Sequence, residues 1–330
     1  MGRRSSYGAE MRTHGQLDPE IAAAVGTLTI PDMDETMLGE MRRFSFAPTE
    51  LSDIVNREET EVPGGDQGDL PVPVRIHSPV HRTGPIPGVL AIHGGGYVIG
   101  DRTMNDGLFD RWCVDPGVVA VSVGYRLAPE TPYPGPLEDC YRALAWTVEH
   151  ADDLGIDPTC IGLYGASAGG GLAAGLALLA RDRGEVEVAF QMLQYPMLDD
   201  RQITRSSQVE DLQIWSRTSN RFGWGAYLGH LYGSDAIPVY AAAARAEDLV
   251  GLPPTYICVG TLDGFVDEDI DFAQRLLHAQ VPTELHVLPG APHGFELLGD
   301  TAIARQSEHD ADEWIKRTIR DAGQAVLKFG

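Results

Sequence analysis

The sequence is poor in cysteine and in basic residues, and both shortages narrow the class of protein. Its four cysteines, at positions 113, 140, 160 and 258 of 330, stand singly, so the pattern indicates neither a CxxC zinc site nor a disulfide framework. We expect them to be reduced core residues. Lys and Arg total 25 against 48 Asp and Glu, a net charge of −23. A surface this acidic repels phosphate backbones and anionic lipid headgroups, which argues against nucleic-acid binding and membrane attachment.

Apolar segments suited to export or to a membrane are also scarce. The first 16 residues are polar and lack the apolar stretch of a signal peptide, so we expect a cytoplasmic location. Residues 158–180 carry no charge and are long enough to span a bilayer, but they hold six glycines and a proline. They divide into a strand-like half and an Ala/Leu-rich helical half. We therefore interpret this stretch as a buried strand, turn and helix.

What the chain does contain is the alternation of strands and helices that is typical of an α/β protein. From about residue 72, apolar β-rich runs alternate with helix-period runs, which predicts a mostly parallel sheet with helices on both faces. The predicted strands are 72–77, 88–93, 118–125, 161–164, 188–194, 255–259 and 284–288. The predicted helices are 105–114, 137–150, 168–181, 267–279 and about 303–321.

Two segments do not follow this alternation. Within residues 1–50, Asp18 and Pro19 form the start signal of a short helix, an N-cap followed by proline at the first helical position. Within residues 199–240, strand signals stop and aromatic residues accumulate among charges. We therefore predict a core formed by 51–198 and 241–330, with 1–50 and 199–240 outside it.

A predicted strand, turn and helix carry the candidate nucleophile, Ser167. The sequence GASAG at 165–169 has the spacing and context of a G-x-S-x-G nucleophile elbow. Small flanking residues permit the sharp turn that exposes the serine hydroxyl, and the helix N-terminus behind it offers a free N–H group. The alternative is a Gly/Ala-rich helix start with a purely structural role.

A glycine run after another predicted strand supplies candidate donors for a developing negative charge. His93 is followed by Gly94, Gly95 and Gly96, as in the HGGG loop that partners a nucleophile elbow. A phosphate-binding loop would require GxGxxG or a lysine, whereas YVIGD follows here. We interpret the run as one side of an oxyanion hole and expect His93 to orient it through hydrogen bonds.

The general base and its acid are sought after the serine, because the chain order of this arrangement is serine, acid, histidine. The histidines in that part of the chain are His230, His278, His286, His293 and His309. His293 alone stands in a loop just past the last predicted strand, and Asp263 also follows a strand end. Asp267 and Glu268 fall where the next helix begins, so we expect them to cap that helix or to interact with its dipole.

Four motifs occur in order along the chain: HGGGYVIGD at 93–101, GYRLAPE at 124–130, GASAGG at 165–170 and HGF at 293–295. Over roughly residues 70–320 they resemble the hormone-sensitive-lipase-like family of α/β-hydrolases, the bacterial family IV carboxylesterases. The resemblance implies an α/β-hydrolase fold with a helical cap, formed by the N-terminal segment and an insertion that match 1–50 and 199–240. It implies Ser167 as nucleophile, Asp263 as acid, His293 as base, and the N–H groups of Gly95, Gly96 and Ala168 as the oxyanion hole.

The chain departs from the family pattern at two places beside the expected pocket. Ala166 precedes the serine where family members often carry Asp or Glu, and residues 263–268 read DGFVDE where the family has DPLRDE. Neither change removes a catalytic group. Both therefore bear on substrate preference.

The sequence predicts a serine carboxylesterase that needs no cofactor or metal and acts on small-molecule esters of short to medium acyl chains through an acyl-enzyme. Lactone or amide hydrolysis is an alternative, since the same residues would perform it. A non-catalytic ligand-binding receptor is a third reading, although relatives of that kind lack the catalytic histidine, which is present here as His293. A homo-oligomer is compatible with the sequence, which identifies neither the oligomeric state nor the physiological ester.

Overall fold

A twisted sheet forms the centre of the protein in the computed structural model, which describes residues 16–26, 30–43, 51–65 and 70–329. In this part of the chain the strands are β1 Val55–Val62, β2 Val72–Pro79, β3 Ile86–Ile92, β4 Val119–Val123, β5 Ile156–Ala166, β6 Gln191–Gln194, β7 Thr255–Gly260 and β8 Thr283–Leu288. Their order is β1-β2-β4-β3-β5-β6-β7-β8. Strand β2 pairs antiparallel with β1 and β4, and all other pairs are parallel. The predicted α/β-hydrolase sheet is confirmed.

Helices cover both faces of this sheet. They are α1 Pro19–Val25, α2 Leu38–Met41, α3 Asp106–Val114, α4 Gly135–Glu149, α5 Ala151–Leu154, α6 Ala168–Arg183, α7 Arg217–Leu228, α8 Val266–His278 and α9 Ala302–Phe329. Side chains alternate between two hydrophobic cores, because successive residues of a strand point to opposite faces. In β4, Val119 and Val121 pack in one core while Ala120 packs in the other.

The predicted strands and core helices are confirmed, with ends shifted by a few residues. The stretch 158–180 forms the end of β5, a turn and most of α6, all as interpreted from its glycines. All four cysteines are buried and free, as expected. No helix among the described residues combines the length and apolarity needed to cross a membrane.

Strand β1 is absent from the sequence prediction. Its sequence VNREETEV carries four charged residues, and it lies at the edge of the sheet, where it pairs with β2 alone. An edge strand exposed to solvent has little need of apolar side chains. Because of these charged residues, a pattern based on hydrophobicity does not identify this strand.

The two segments outside the strand–helix alternation contact each other, and the N-terminal one also contacts residue 98, just past the glycine run. The backbone N–H of Met33 donates to Ser219 Oγ at 2.8 Å, which joins the N-terminal segment to α7. Arg42 Nε donates to the carbonyl of Val98 at 2.8 Å. The predicted helix start is confirmed, since Asp18 Oδ1 accepts the N–H groups at the start of α1. Of the predicted N-terminal segment, residues 1–15, 27–29 and 44–50 lie outside the described residues.

Candidate active site

Ser167 occupies a tight turn between β5 and α6. Its backbone has φ 56° and ψ −121°, a strained conformation for a residue with a side chain. The turn closes only because its flanking positions are glycines: a Cβ on Gly165 would lie 2.1 Å from the Gly169 oxygen, and one on Gly169 would lie 2.1 Å from the Ile92 oxygen. The Ser167 N–H donates to the carbonyl of Gln194 at 2.9 Å, which fixes the turn on the neighbouring strand.

His293 connects Ser167 to Asp263 through two hydrogen bonds. Its Nε2 lies 2.9 Å from Ser167 Oγ, and its Nδ1 lies 2.7 Å from Asp263 Oδ2. A carboxylate only accepts, so Nδ1 carries the proton and Nε2 is free to accept the serine hydroxyl. The other carboxylate oxygen, Oδ1, accepts the N–H of Phe265 at 2.9 Å. The structure thus brings together the three side chains singled out in the sequence, all of them buried.

Aromatic rings surround the imidazole of His293. Tyr195 packs against it with ring centroids 4.7 Å apart, Phe265 meets it edge-on at 5.0 Å, and Trp215 lies 6.5 Å away. These rings limit the access of water to the imidazole and restrict its rotation. None of these rings can be identified from the sequence, because an aromatic residue near a strand end or in an irregular segment carries no signal that separates a site wall from ordinary core.

The glycine loop at 94–96 packs against the serine turn. A Cβ on Gly94 would lie 2.9 Å from the Ala166 oxygen and 3.4 Å from Ser167 Cβ. Gly95 and Gly96 have φ of 107° and 58°, which favour glycine. No acceptor in the described part of the chain takes the N–H of Gly95, Gly96 or Ala168, the first residue of α6.

His93 holds this loop in shape and stays uncharged. It is buried, and its ring stacks on that of Tyr125 at 4.1 Å. Burial lowers the pKa of His93 to about 4, so at neutral pH its Nδ1–H donates to the Gly94 oxygen at 2.8 Å. The Tyr125 hydroxyl donates to the His93 carbonyl at 3.0 Å. These contacts agree with the orienting role expected for His93.

The expectation that Asp267 and Glu268 cap α8 is wrong. The N-cap of α8 is Phe265, whose side chain makes no capping hydrogen bond, and the first-turn N–H of Asp267 donates to Ser206 Oγ at 3.3 Å. Asp267 Oδ2 instead accepts the N–H of Ser206 at 2.8 Å, and the buried Glu268 Oε1 accepts the N–H groups of residues 198–199 at 2.8 and 3.0 Å. Burial raises the pKa of Glu268 well above its usual value. Both acids therefore tie α8 to the segment after β6, and both stand in the first turn of that helix.

Glu296 is a partly buried acid beside the site, with its Oε2 shielded from solvent, and no motif in the sequence singles it out. It accepts a hydrogen bond from Gln194 Nε2, and burial raises its pKa to about 7. It follows the HGF motif by one residue and lies near His293, so a change in its charge acts on the imidazole. Among the described residues, no group of three or more His, Cys, Asp or Glu is arranged to hold a metal ion.

Known proteins are similar to this chain in sequence and in fold. Residues 89–297 match the family model described as alpha/beta hydrolase fold. Carboxylesterase NlhH of Mycobacterium tuberculosis is 34% identical over 272 residues, 82% of this chain and 84% of that protein. Esterase LipI of the same organism is 38% identical over 210 residues, which are 63% of this chain and 65% of LipI, just under two thirds of its length.

Solved structures give the same result. The structure titled Bacterial Heroin Esterase is 42% identical, with a TM-score of 0.84 over 92% of this chain and 98% of the other. The esterase LipW from Mycobacterium marinum is 31% identical, with a TM-score of 0.81 over 93% of this chain and 98% of the other. The match thus extends over fold, chain length and sequence. The chain belongs to the α/β-hydrolase family, in its hormone-sensitive-lipase-like group of esterases.

Proposed function

We propose that this protein is a serine carboxylesterase in which Ser167 is the nucleophile, His293 the general base and Asp263 the orienting acid. The single observation that carries the proposal is the continuous hydrogen-bonded series from Ser167 Oγ through His293 to Asp263 Oδ2. A buried serine on a strained turn, with its hydroxyl aimed at an imidazole nitrogen, has no comparable structural explanation.

Acylation follows from the direction of these hydrogen bonds. Ser167 Oγ attacks the ester carbonyl carbon while His293 Nε2 takes the hydroxyl proton, and the carbonyl π electrons move onto the oxygen. The N–H groups of Gly95, Gly96 and Ala168 are the proposed donors to that oxyanion, and their freedom from other acceptors supports this role. Collapse of the intermediate breaks the bond to the alkoxy oxygen, which receives the proton from Nε2.

Deacylation repeats the sequence with water in place of serine. His293 takes a proton from water, the resulting hydroxide attacks the acyl carbon, and the proton then returns to Ser167 Oγ as the carboxylic acid leaves. Asp263 stabilises the imidazolium in both halves and keeps Nδ1 protonated. The acidic surface repels the carboxylate product, which favours its release.

The proposed substrates are small-molecule esters of short to medium acyl chains. The printed names of the relatives, carboxylesterase and esterase, support an ester as the substrate class. The segments 1–50 and 199–240 are the proposed cap over the site, supported by the contact of Met33 with Ser219 and of Arg42 with Val98, two residues past the glycine loop. A cytoplasmic location stays a prediction.

Replacement of the nucleophile tests the proposal most directly. We expect Ser167→Ala to lower kcat by about 10⁶-fold on p-nitrophenyl butyrate, since loss of the serine alone removes nearly all of a triad's contribution. Ser122→Ala is the matched control, because Ser122 is a buried serine of β4 whose hydroxyl has no hydrogen-bond partner in the described structure. An organophosphate should label the peptide that contains Ser167. Activity above a few percent in Ser167→Ala, or a label elsewhere, would refute the assignment.

A substrate panel separates ester hydrolysis from the chemistries that the same residues could perform. Initial rates are measured on p-nitrophenyl esters of rising chain length, on a lactone and on an anilide. We expect the short and medium esters to have the highest kcat/KM. A preference for the lactone or the anilide would replace the proposed substrate class and leave the roles of Ser167 and His293 standing.

A further inference from the structure

A four-residue segment of the irregular insertion, residues 212–215, lies across the loops that hold the site; we call it the strap. Leu212 Cδ1 would lie 2.9 Å from a Cβ placed on Gly264, next to the acid Asp263. Ile214 Cγ2 would lie 3.6 Å from one on Gly294, next to His293. Trp215 Cη2 would lie 2.1 Å from one on Gly96, so its indole rests directly on the glycine loop. The strap thus touches the acid, histidine and glycine loops.

The strap is held in a strained turn. Ile214 has φ 67°, which is an outlier for a β-branched residue, and the N–H of Trp215 donates to the carbonyl of Gln213 at 2.8 Å. Together these features describe a classic γ-turn, which is rare and strained. Strain of this kind persists only where the surrounding structure holds it, and it clusters at functional sites.

Helix α7 fixes the indole at the end of this turn. Trp215 Nε1 donates to Asn220 Oδ1 at 3.2 Å, and Trp215 Cζ2 would lie 3.3 Å from a Cβ on Gly223. Ser216 caps the helix directly after the tryptophan by accepting the N–H of Ser219 at 3.1 Å. The ring is nevertheless only partly buried, so it stays in part open to solvent next to the glycine loop.

The chemistry of the proposed reaction determines which part of a substrate would contact the Trp215 ring. The oxyanion must lie at the glycine loop, and the alkoxy oxygen must lie near His293 Nε2, because that nitrogen gives it a proton. Trp215 contacts Gly96 and lies 6.5 Å from the imidazole centroid, so it covers the edge between these two groups. The acyl chain therefore extends from the carbonyl carbon away from both the glycine loop and His293 Nε2.

We propose that Trp215, held by the γ-turn at Ile214, is a wall of the alcohol subsite and limits the bulk of the alcohol in the esters this protein hydrolyses. The inference rests on the proposed esterase function and deepens it. Its physical basis is steric: a rigid indole over the alkoxy position leaves room for a small alcohol and collides with a branched or cyclic one. Removal of the ring should therefore widen alcohol tolerance and leave acyl selection as it was.

Two ester series test this separation. The alcohol series compares ethyl, isopropyl and cyclohexyl acetate, and the acyl series compares ethyl acetate, butyrate and hexanoate. For Trp215→Ala we expect the cyclohexyl-to-ethyl ratio of kcat/KM to rise at least about tenfold, the low end of what pocket size alone can discriminate. Ratios within the acyl series should stay within about twofold of the wild-type values. An unchanged alcohol ratio, or an acyl shift as large as the alcohol shift, overturns the proposal.

Control variants keep the outcome interpretable. Trp146→Ala removes the same side chain from α4, where Trp146 is half-buried and stacks on His150, and it should leave both series unchanged. Trp215→Phe keeps an aromatic ring and should give a smaller rise in the alcohol ratio; if Trp215→Ala does not fold, an unchanged ratio in Trp215→Phe overturns the proposal. Failure of the esterase function itself differs, since wild type would then hydrolyse neither series or Ser167→Ala would remain active.

Discussion

Replacement of Asp263 by asparagine is the most informative single change, because both carboxylate oxygens have defined partners. Oδ2 accepts His293 Nδ1–H at 2.7 Å and Oδ1 accepts the N–H of Phe265 at 2.9 Å. An amide has one oxygen and one NH₂ group, so it can satisfy only one of these donors. If the NH₂ group faces the imidazole, Nδ1 must become the acceptor and Nε2 the donor. If it faces Phe265, two donors oppose each other in a buried site.

The magnitude follows from these two orientations. With the amide nitrogen toward His293, the imidazole has the wrong tautomer to accept the proton of Ser167, and such a tautomer lowers kcat by about 10⁴-fold. That loss corresponds to about 5 kcal/mol of transition-state stabilisation. With the amide oxygen toward His293, the tautomer is correct, but the N–H of Phe265 loses its partner, which costs about 1–3 kcal/mol of stability. We expect the orientation with the amide nitrogen toward His293 to prevail. The imidazole can change tautomer to accept from the amide, whereas the N–H of Phe265 cannot become an acceptor.

The assay measures kcat on p-nitrophenyl butyrate and unfolding in urea for Asp263→Asn beside Asp267→Asn. Asp267 lies four residues along the chain and accepts one N–H, from Ser206, which an asparagine oxygen can also accept. This control should keep kcat within a few-fold of wild type. The reasoning is refuted if Asp263→Asn keeps more than about 1% of kcat or if Asp267→Asn suffers the larger loss of activity.

Two further changes test the glycine loop and the partly buried acid Glu296. Gly96→Ala should lower kcat by about 10²–10³-fold, which is the effect of losing one oxyanion donor. The reason is that φ of 58° disfavours alanine and that the added Cβ would overlap Trp215, so the loop must shift. Wild-type kcat in a folded variant would contradict the role assigned to the loop. Glu296→Gln should remove a pH dependence of stability. The raised pKa of about 7 means that Glu296 stabilises the fold fully below pH 4.5 and that this contribution, up to about 3 kcal/mol, is lost as pH rises through 7. Urea unfolding from pH 4.5 to 8 checks this, and equal pH profiles for wild type and variant would contradict it.

The fold and the three side chains around Ser167 could be predicted because local sequence determines them. A parallel strand appears in the sequence as an apolar run, and the helix that follows it shows the helical period of hydrophobic residues. Strands β3 to β8 and their helices can therefore each be recognised from local sequence. The residues of the site stand on the turn or loop that follows strands β5, β7 and β8, and the carboxyl ends of parallel strands meet at one edge. The strand order itself was not needed to place Ser167, Asp263 and His293 together.

What escaped prediction depends on contacts between distant segments. Glu268 looks like a first-turn acid of α8, and only the position of residues 198–199 beside it reveals a buried hydrogen-bonding role. Glu296 is one acid among 48, and burial beside Gln194 is what sets it apart. Trp215 is one of several aromatics in the insertion, and nothing in the neighbouring sequence specifies a γ-turn centred on Ile214.

The contact of the strap with residue 264 gives a physical consequence to the departure from the family pattern at that position. Where the family has proline after the acid, this chain has Gly264, and a side chain there would come within 2.9 Å of Leu212 Cδ1. The strap can therefore approach the acid loop this closely only because residue 264 is a glycine and has no side chain. Leu212 and Trp215 belong to the same short turn, so the space at Gly264 also helps to set where the indole lies over Gly96. A substitution at position 264 is in this way coupled, through the strap, to the position of the Trp215 indole over Gly96.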